Sequence, residues 1–358
     1  MTLQLDAVTK VVEGRTHIKP TTLRLEPGRF NVLLGATGAG KTSLIKMMAG
    51  LDPIASGRVL MDGEDVTRVS PQRRRISLVH QFFVNYPHMT VFENIASPLR
   101  VGGVPRSEIE GRVEAAADVL RLRPMLGRRP HELSGGQQQR CALARAIAKD
   151  SRAVFLDEPL ANLDYKLREE LREQLPELFA GRGAVVVYAT SEPEEALLLG
   201  GNTTLMEDGH ARQDGPTAAI YRAPASLAAA RIFSDPPINA APVTVADGTA
   251  RMGAASWPTE RAAGRYTFAI RPHHVLPRPR AGSDVALTGT VGVTELSGSE
   301  SSAHFLFDGH PWVSLAHGVH PYRIGEAHTF HMDPANGFWF DAEGAATDAG
   351  GAAGRDAA

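Results

Sequence analysis

A single cysteine, Cys141, stands in the whole chain, which excludes an internal disulfide framework and leaves a small apolar residue on a buried helix face as its expected role. An excess of charge of one sign is missing too. Thirty-eight Lys and Arg stand against 40 Asp and Glu, a formal net charge of −2. Whole-molecule attraction therefore gives no reason to expect nucleic acid or anionic lipid as a partner. No apolar run approaches the ~20 residues that cross a bilayer, and residues 1–10 lack the pattern of a secretory signal. A cytoplasmic chain is expected, reaching any membrane only through a partner. Aromatics are sparse at 6%, without the aromatic-plus-basic interleaving of a single-strand nucleic-acid surface. What is present is an ordinary globular composition, 43% hydrophobic over 358 residues, long enough for two domains with separate cores.

Up to about residue 232, apolar strand-like runs alternate with helical spacing, the α/β pattern. Residues 30–35 (FNVLLG), 75–81 (RISLVHQ), 153–157 (AVFLD) and 184–190 (AVVVYAT) read as buried strands. Such near-continuous runs predict a largely parallel sheet covered on both faces. Residues 108–122 and 137–149 have helical spacing, so a helical insertion (about 86–150) is expected between the second and third of these strands. Residues 165–179 are amphipathic, with Leu167, Leu171 and Leu175 on one face. Texture changes at the proline-rich 234–239 (SDPPIN). Short alternating runs between Gly, Pro and Asp then predict a small all-β domain. The expected organisation is a first domain over 1–235, the β domain over 240–341, and a disordered Ala/Gly-rich tail over 342–358.

The first motif is GATGAGKT at 35–42, after a strand and opening a helix. Gly35, Gly38 and Gly40, with Ala36, Thr37 and Ala39 between them, let backbone N–H groups approach phosphate at a helix N-terminus. Lys41 is expected on the β/γ-phosphates, the Thr42 hydroxyl on Mg²⁺, and Ser43 near the α-phosphate. AVFLDEP supplies the complement: Asp157 at a strand end for the Mg²⁺ shell, and Glu158 to orient or deprotonate the attacking water. Gln81 offers a neutral side chain to Mg²⁺ and water. In LSGGQQQR at 133–140, Ser134, Gly135, Gly136 and Gln137 make a second phosphate cradle at a second helix start. An ordinary N-cap at Ser134 is also present, but it leaves the Gly-Gly-Gln unexplained.

Together these motifs resemble the ATP-binding-cassette family over essentially all of residues 1–232. The resemblance implies ATP and Mg²⁺ as cofactors and an ATPase built as a P-loop NTPase cassette with a helical subdomain. It also implies a head-to-tail dimer in which Ser134, Gly136 and Gln137 touch ATP held by the other subunit, with LANLD (160–164) crossing the interface. The stretch 81–100 resembles importers of sugars, polyols and glycerol phosphates, where this region receives a membrane subunit. Phe82, Phe83, Tyr86, Met89 and Phe92 form that docking surface or pack in the core. Residues 266–275 and 293–301 resemble the OB-like (TOBE-type) regulatory domain of the same subgroup. The partners implied are two transmembrane permease subunits, an extracytoplasmic solute-binding protein and a second ATPase subunit, at the cytoplasmic face of the inner membrane.

Two positions depart from the family pattern. Val12 stands where an aromatic usually stacks on adenine; His17 is a candidate substitute, and apolar contact alone is the alternative. Ser191, in VVVYATSEPEEAL, stands where a histidine usually meets the γ-phosphate, and serine cannot supply a charged donor. A heterodimer with a histidine-bearing second ATPase is the favoured expectation and a homodimer the alternative. ATSEPEEALLLGG resembles one ATPase of glycerol-type importers that use two different ATPase subunits. A nucleotide-sensing subunit without turnover and a cassette ATPase acting outside transport are the rival readings. Intact Lys41, Gln81, Asp157 and Glu158 speak against the first. The lack of a second cassette or coiled-coil insertion speaks against the second. The histidines of the second domain have no metal-ligand spacing, and Arg73, Arg74 and Arg75 read as a solvated basic face.

Overall fold

The computed structural model describes residues 1–82, 84–161, 163–179, 183–280 and 284–347. Phe83, Asn162, the side chain of Leu167 and the expected tail from 348 onward lie outside the described residues. The chain divides into two compact units, Met1–Ala218 and Ala219–Ala358.

The first unit begins with β1 (Leu3–Val12), β2 (Arg15–Leu25), β3 (Phe30–Leu34), α1 (Lys41–Ala49), β4 (Ser56–Met61), β5 (Glu64–Asp65) and β6 (Ile76–Val79). Three helices follow: α2 (Val91–Val101), α3 (Arg106–Val119) and α4 (Gly135–Ala148). Then come β7 (Ala153–Asp157), α5 (Tyr165–Phe179), β8 (Val185–Thr190), α6 (Pro193–Leu199), β9 (Asn202–Glu207) and β10 (His210–Pro216). The antiparallel sheet runs β2-β1-β4-β5, and the larger sheet runs β10-β9-β3-β8-β7-β6. From β9 through β6 the larger sheet is parallel, with β10 antiparallel at its edge.

All residues of β3, β7 and β8 are buried, as their unbroken apolar runs require of strands covered on both faces. Register then does the functional work. Leu34 pairs with Thr190, Asp157 with Ala189, and Val79 with Leu156. The C-terminal ends of four parallel strands therefore open on one side of the sheet, where open α/β sheets place ligands. Helix α1 packs Leu44, Ile45 and Met48 into the core beneath them. Burial of each such side chain contributes about 1.5–3 kcal/mol, so the helix start is held rigidly. Helices α2 and α4 begin with reciprocal capping boxes, Thr90 with Glu93 and Ser134 with Gln137, each satisfying two orphan N–H groups. Cys141 is fully buried, and burial pushes its thiol pKa up to about 12, which leaves it inert.

Arg74 corrects the expectation of a solvated basic run. Arg73 and Arg75 are exposed, but Arg74 is buried. Its guanidinium donates to the carbonyls of Met47 (3.3 Å), Met48 (2.7 Å), Val69 (2.8 Å) and Thr67 (3.0 Å). The last carbonyls and the negative dipole end of α1 draw it inward.

In the second unit, α7 (Thr217–Arg222), which carries the division, and α8 (Leu227–Ile232) precede ten strands: β11 (Asn239–Ala246), β12 (Thr249–Met252), β13 (Ala255–Pro258), β14 (Gly264–Ile270), β15 (Val275–Leu276), β16 (Val285–Leu296), β17 (Glu300–Phe307), β18 (His310–His317), β19 (Ala327–Met332) and β20 (Phe338–Phe340). Two five-stranded antiparallel sheets, β13-β12-β11-β14-β20 and β15-β19-β16-β17-β18, share one core containing Trp257, Phe268, Phe305, Trp312 and Phe330. The division falls before residue 219 for a local reason. Buried Arg271 lies 3.6 Å from the centre of the Tyr221 ring and donates to the Tyr221 carbonyl at 2.6 Å. Residues 342–347, expected within the tail, are engaged: Gly344 accepts from Leu227 N–H and Ala346 donates to Ala225.

Candidate nucleotide site

The loop between β3 and α1 is built by close approach. A Cβ on Gly35 would sit 2.2 Å from the Met206 carbonyl oxygen of β9, so only glycine fits there. Gly40 precedes α1 at φ 102°, backbone that glycine alone adopts without strain. Ala36, Thr37 and Gly38 are exposed, while Ala39, Gly40 and Lys41 are buried.

Lys41 donates from Nζ to the carbonyls of Gly35 (2.7 Å) and Ala36 (3.1 Å) and pairs with Glu158 Oε1 at 3.4 Å. Thr42 Oγ1 donates to Asp157 Oδ1 at 3.0 Å. Gln81 Nε2 donates to Glu158 Oε2 at 3.0 Å. The structure thus joins residues from the ends of β3, β6 and β7 in one cluster. Gln81 lies beyond the end of β6 rather than on it. Glu158 has φ 47° and anchors its N–H on the Ala189 carbonyl at 3.0 Å. A non-glycine residue held at positive φ costs on the order of 1 kcal/mol and aims its side chain away from the strand.

Burial raises the pKa of Asp157, partly offset by the Thr42 hydrogen bond. A buried carboxylate beside a threonine hydroxyl and a glutamine amide is a set of hard oxygen donors with incomplete charge compensation. That chemistry fits a Mg²⁺ ion, which takes oxygen ligands and keeps part of its water shell.

Ser191 follows β8 and is exposed. The preceding Thr190 carbonyl accepts the Gly35 N–H at 3.3 Å, which places the serine next to the phosphate-binding loop. Val12 is 45% exposed at the end of β1. His17 Nε2 instead lies 2.9 Å from the Ser43 hydroxyl, at the first turn of α1.

The second cradle is elsewhere. Ser134 Oγ accepts from Gln137 N–H at 3.3 Å, and Gln137 Oε1 accepts from Ser134 N–H at 3.0 Å. Ser134 and Gly135 are exposed, and among the described residues none of these groups hydrogen-bonds to the 35–43 loop. Behind them, buried Gln139 donates to the Pro159 carbonyl, tying α4 to the segment after Glu158. Leu160 and Leu163 are buried and Asp164 is exposed. Of the apolar stretch after Gln81, Phe82 is 75% and Tyr86 40% exposed, while Met89 and Phe92 are half-buried.

Sequence reasoning missed Glu195. It is buried at 3% exposure and accepts from Tyr188 Oη at 2.9 Å and Thr190 Oγ1 at 2.6 Å. Burial raises its pKa, offset in part by the two hydroxyl hydrogen bonds. Its only sequence signal was an acidic residue in the first turn of a helix, indistinguishable from Glu194 beside it.

A phosphate loop with its lysine, a threonine hydroxyl on a buried aspartate, an adjacent glutamate and a separate capped Ser-Gly-Gly helix define a cassette ATPase that binds ATP with Mg²⁺. Comparison with known proteins agrees. The ABC transporter family model matches residues 18–161 and the TOBE domain model residues 268–340. The sn-glycerol-3-phosphate import ATP-binding protein of Pectobacterium atrosepticum is 35% identical over 95% of this chain and 98% of its own length. That of Burkholderia thailandensis is 36% identical over 94% and 98%. A solved ATP-binding cassette, dimeric and bound to ADP and Pi after hydrolysis, aligns at TM-score 0.55 with 28% identity, covering 60% of this chain and 98% of that one. The chain belongs to the ATP-hydrolysing import subunits of the ABC transporter family. Among the described residues no helix is long and apolar enough to cross a membrane.

Proposed function

We propose that this ATPase energises uptake of a small polyol of the glycerol class, glycerol phosphates included, from the cytoplasmic face of the membrane. The observation that carries the ATPase part is the Lys41–Glu158–Gln81 cluster beside the Thr42–Asp157 pair. Lys41 binds the β- and γ-phosphates; without them its ammonium rests on Glu158 and two loop carbonyls. Nucleotide binding draws the lysine off the glutamate, which is then free to orient water. Thr42, Asp157 and Gln81 would hold Mg²⁺, which would supply positive charge to offset the negative charge of the phosphates. The glycines 35, 38 and 40, with Ala36, Thr37, Ala39 and Ser43, wrap the phosphates. Support for the glycerol class comes from the similar proteins of Pectobacterium and Burkholderia, which are sn-glycerol-3-phosphate import ATP-binding proteins.

Ser134, Gly135, Gly136 and Gln137 serve an ATP held by a second ATPase subunit; that the similar cassette is dimeric supports the presence of a second subunit. Two permease subunits and a solute-binding protein complete the importer. A permease segment docks on exposed Phe82 and Tyr86 and in the groove of about 320 Å³ beside them. Ser191 favours a different, histidine-bearing ATPase as the second subunit. If the histidine contributes as positioned acid–base groups do, Ser191→His raises the turnover of the purified chain by ~10²-fold or more. Steady-state ATP hydrolysis by the two purified proteins tests this. A purified parent homodimer that turns over at the rate of the Ser191→His variant refutes the need for a second kind of ATPase.

A further inference from the structure

Buried Glu195 sits behind the site rather than in it. One of its carboxylate oxygens, Oε2, accepts both the Tyr188 hydroxyl at 2.9 Å and the Thr190 hydroxyl at 2.6 Å. Tyr188 is itself fully buried, so the carboxylate is fixed from the interior of the sheet. The Thr190 oxygen also accepts the Glu192 N–H at 3.0 Å. A single hydroxyl thereby closes the turn that carries Ser191. The outer side of the same turn is pinned by Arg168, whose Nη1 lies 3.1 Å from Glu192 Oε1.

That turn does more than present residue 191. Two consecutive carbonyls at the end of β8 hold the two halves of the site: Ala189 accepts the Glu158 N–H at 3.0 Å, and Thr190 accepts the Gly35 N–H at 3.3 Å. Glu158 sits at positive φ, and this anchor keeps it there. The phosphate loop is one residue further along the same strand end. Whatever sets the height and twist of residues 189–190 therefore sets the distance between the phosphate loop and the carboxylate that faces it.

We infer that Glu195 is a positioning residue for hydrolysis. Through Thr190 it locks the end of β8 so that Glu158 and the 35–42 loop hold one separation, and it orients residue 191 toward the phosphates. The inference rests on Glu158 being the group that orients water. Glu195 is buried behind Thr190, and its hydrogen-bond partners are Tyr188 and Thr190 rather than the 35–42 loop, so its loss is expected in turnover and not in binding. Misplacement by about 1 Å is enough to cost up to ~10²-fold in rate.

The experiment uses the full-length chain with Glu195→Leu, Glu195→Gln, Thr190→Val and the Glu195→Leu/Thr190→Val pair, and Glu158→Gln alongside. Each is measured for ATP dissociation constant by fluorescent-nucleotide displacement, for thermal midpoint, and for kcat and KM. Glu195→Leu is expected to lower kcat at least tenfold with the ATP dissociation constant within twofold of the parent. Glu195→Gln, whose amide oxygen accepts both hydroxyls, restores most of that loss. Thr190→Val matches Glu195→Leu, and the pair loses no more than either alone. A folded Glu195→Leu or Thr190→Val with parental kcat overturns the inference, as does a dissociation constant that rises in step with the fall in kcat. Should Glu195→Leu fail to fold, the near-isosteric Thr190→Val decides by the same criteria. Parental turnover in Glu158→Gln would instead refute the assignment of Glu158, a separable outcome.

Discussion

Replacing Gly35 by alanine puts a Cβ 2.2 Å from the Met206 carbonyl oxygen and 3.1 Å from the Ala39 Cβ. The first contact is more than 1 Å short of ordinary van der Waals separation. The obstacle is backbone of β9, paired to β3 on one side and β10 on the other, so no rotamer change relieves it. Overpacking of this kind costs 1–3 kcal/mol, and a rigid backbone obstacle places Gly35→Ala at about 3 kcal/mol. Gly38→Ala separates this from glycine chemistry in general. Its φ is +87° but nothing lies within 4 Å of its added Cβ, so it carries only the left-handed penalty of about 1–2 kcal/mol. Urea unfolding of the nucleotide-free full-length proteins, followed by far-UV circular dichroism, gives both values. Displacing the loop also shifts Lys41 and Thr42, so Gly35→Ala is expected to weaken ATP binding at least tenfold. A Gly35→Ala protein with the parental midpoint and affinity, or a Gly38→Ala protein that loses more stability, would refute the reasoning.

Val12→Trp is expected to strengthen ATP binding by about 1 kcal/mol, roughly fivefold, the scale of an aromatic pair; an unchanged dissociation constant would show that the base does not lie over the exposed end of β1. Asp157→Asn tests pH linkage. Burial raises the folded-state pKa of Asp157, so the folded state holds the proton more tightly than the unfolded chain. Its contribution therefore makes stability fall as pH rises from the ordinary carboxylate range through the raised folded value. Asparagine carries no charge to bury, so the nucleotide-free variant is expected to be more stable at neutral pH by about 1 kcal/mol, within the range of single stabilising substitutions. The gain should disappear at acid pH, and Mg²⁺-dependent nucleotide binding should weaken. A variant less stable than the parent at neutral pH, or a gain independent of pH, would contradict this.

The parallel sheet was legible because β3, β7 and β8 are covered on both faces, and such strands must be written as unbroken apolar runs. The helix starts at Lys41 and Gly135 were legible from glycines and a capping serine, which are local chemistry. Lys41, Thr42, Gln81, Asp157 and Glu158 could be nominated one motif at a time. Their contacts could not, since Gln81 meets Glu158 across 77 positions of chain and Thr42 meets Asp157 across 115. Arg74 looked like its exposed neighbours because a run of three arginines has no periodicity. Its burial follows from the end of α1 landing beside it.

The sequence alone determined the class of fold, the chemistry of the phosphate loop and the departure at Ser191, because these rest on residue type and short-range spacing. Tertiary structure decided which of three neighbouring glutamates, 192, 194 and 195, turns inward. Only Glu195 meets the hydroxyls of Tyr188 and Thr190, since the twist of β8 and the entry of α6 place them together. It also decided that one strand end carries both the loop and Glu158. Separation along the chain says nothing about such a meeting; strand order and register create it.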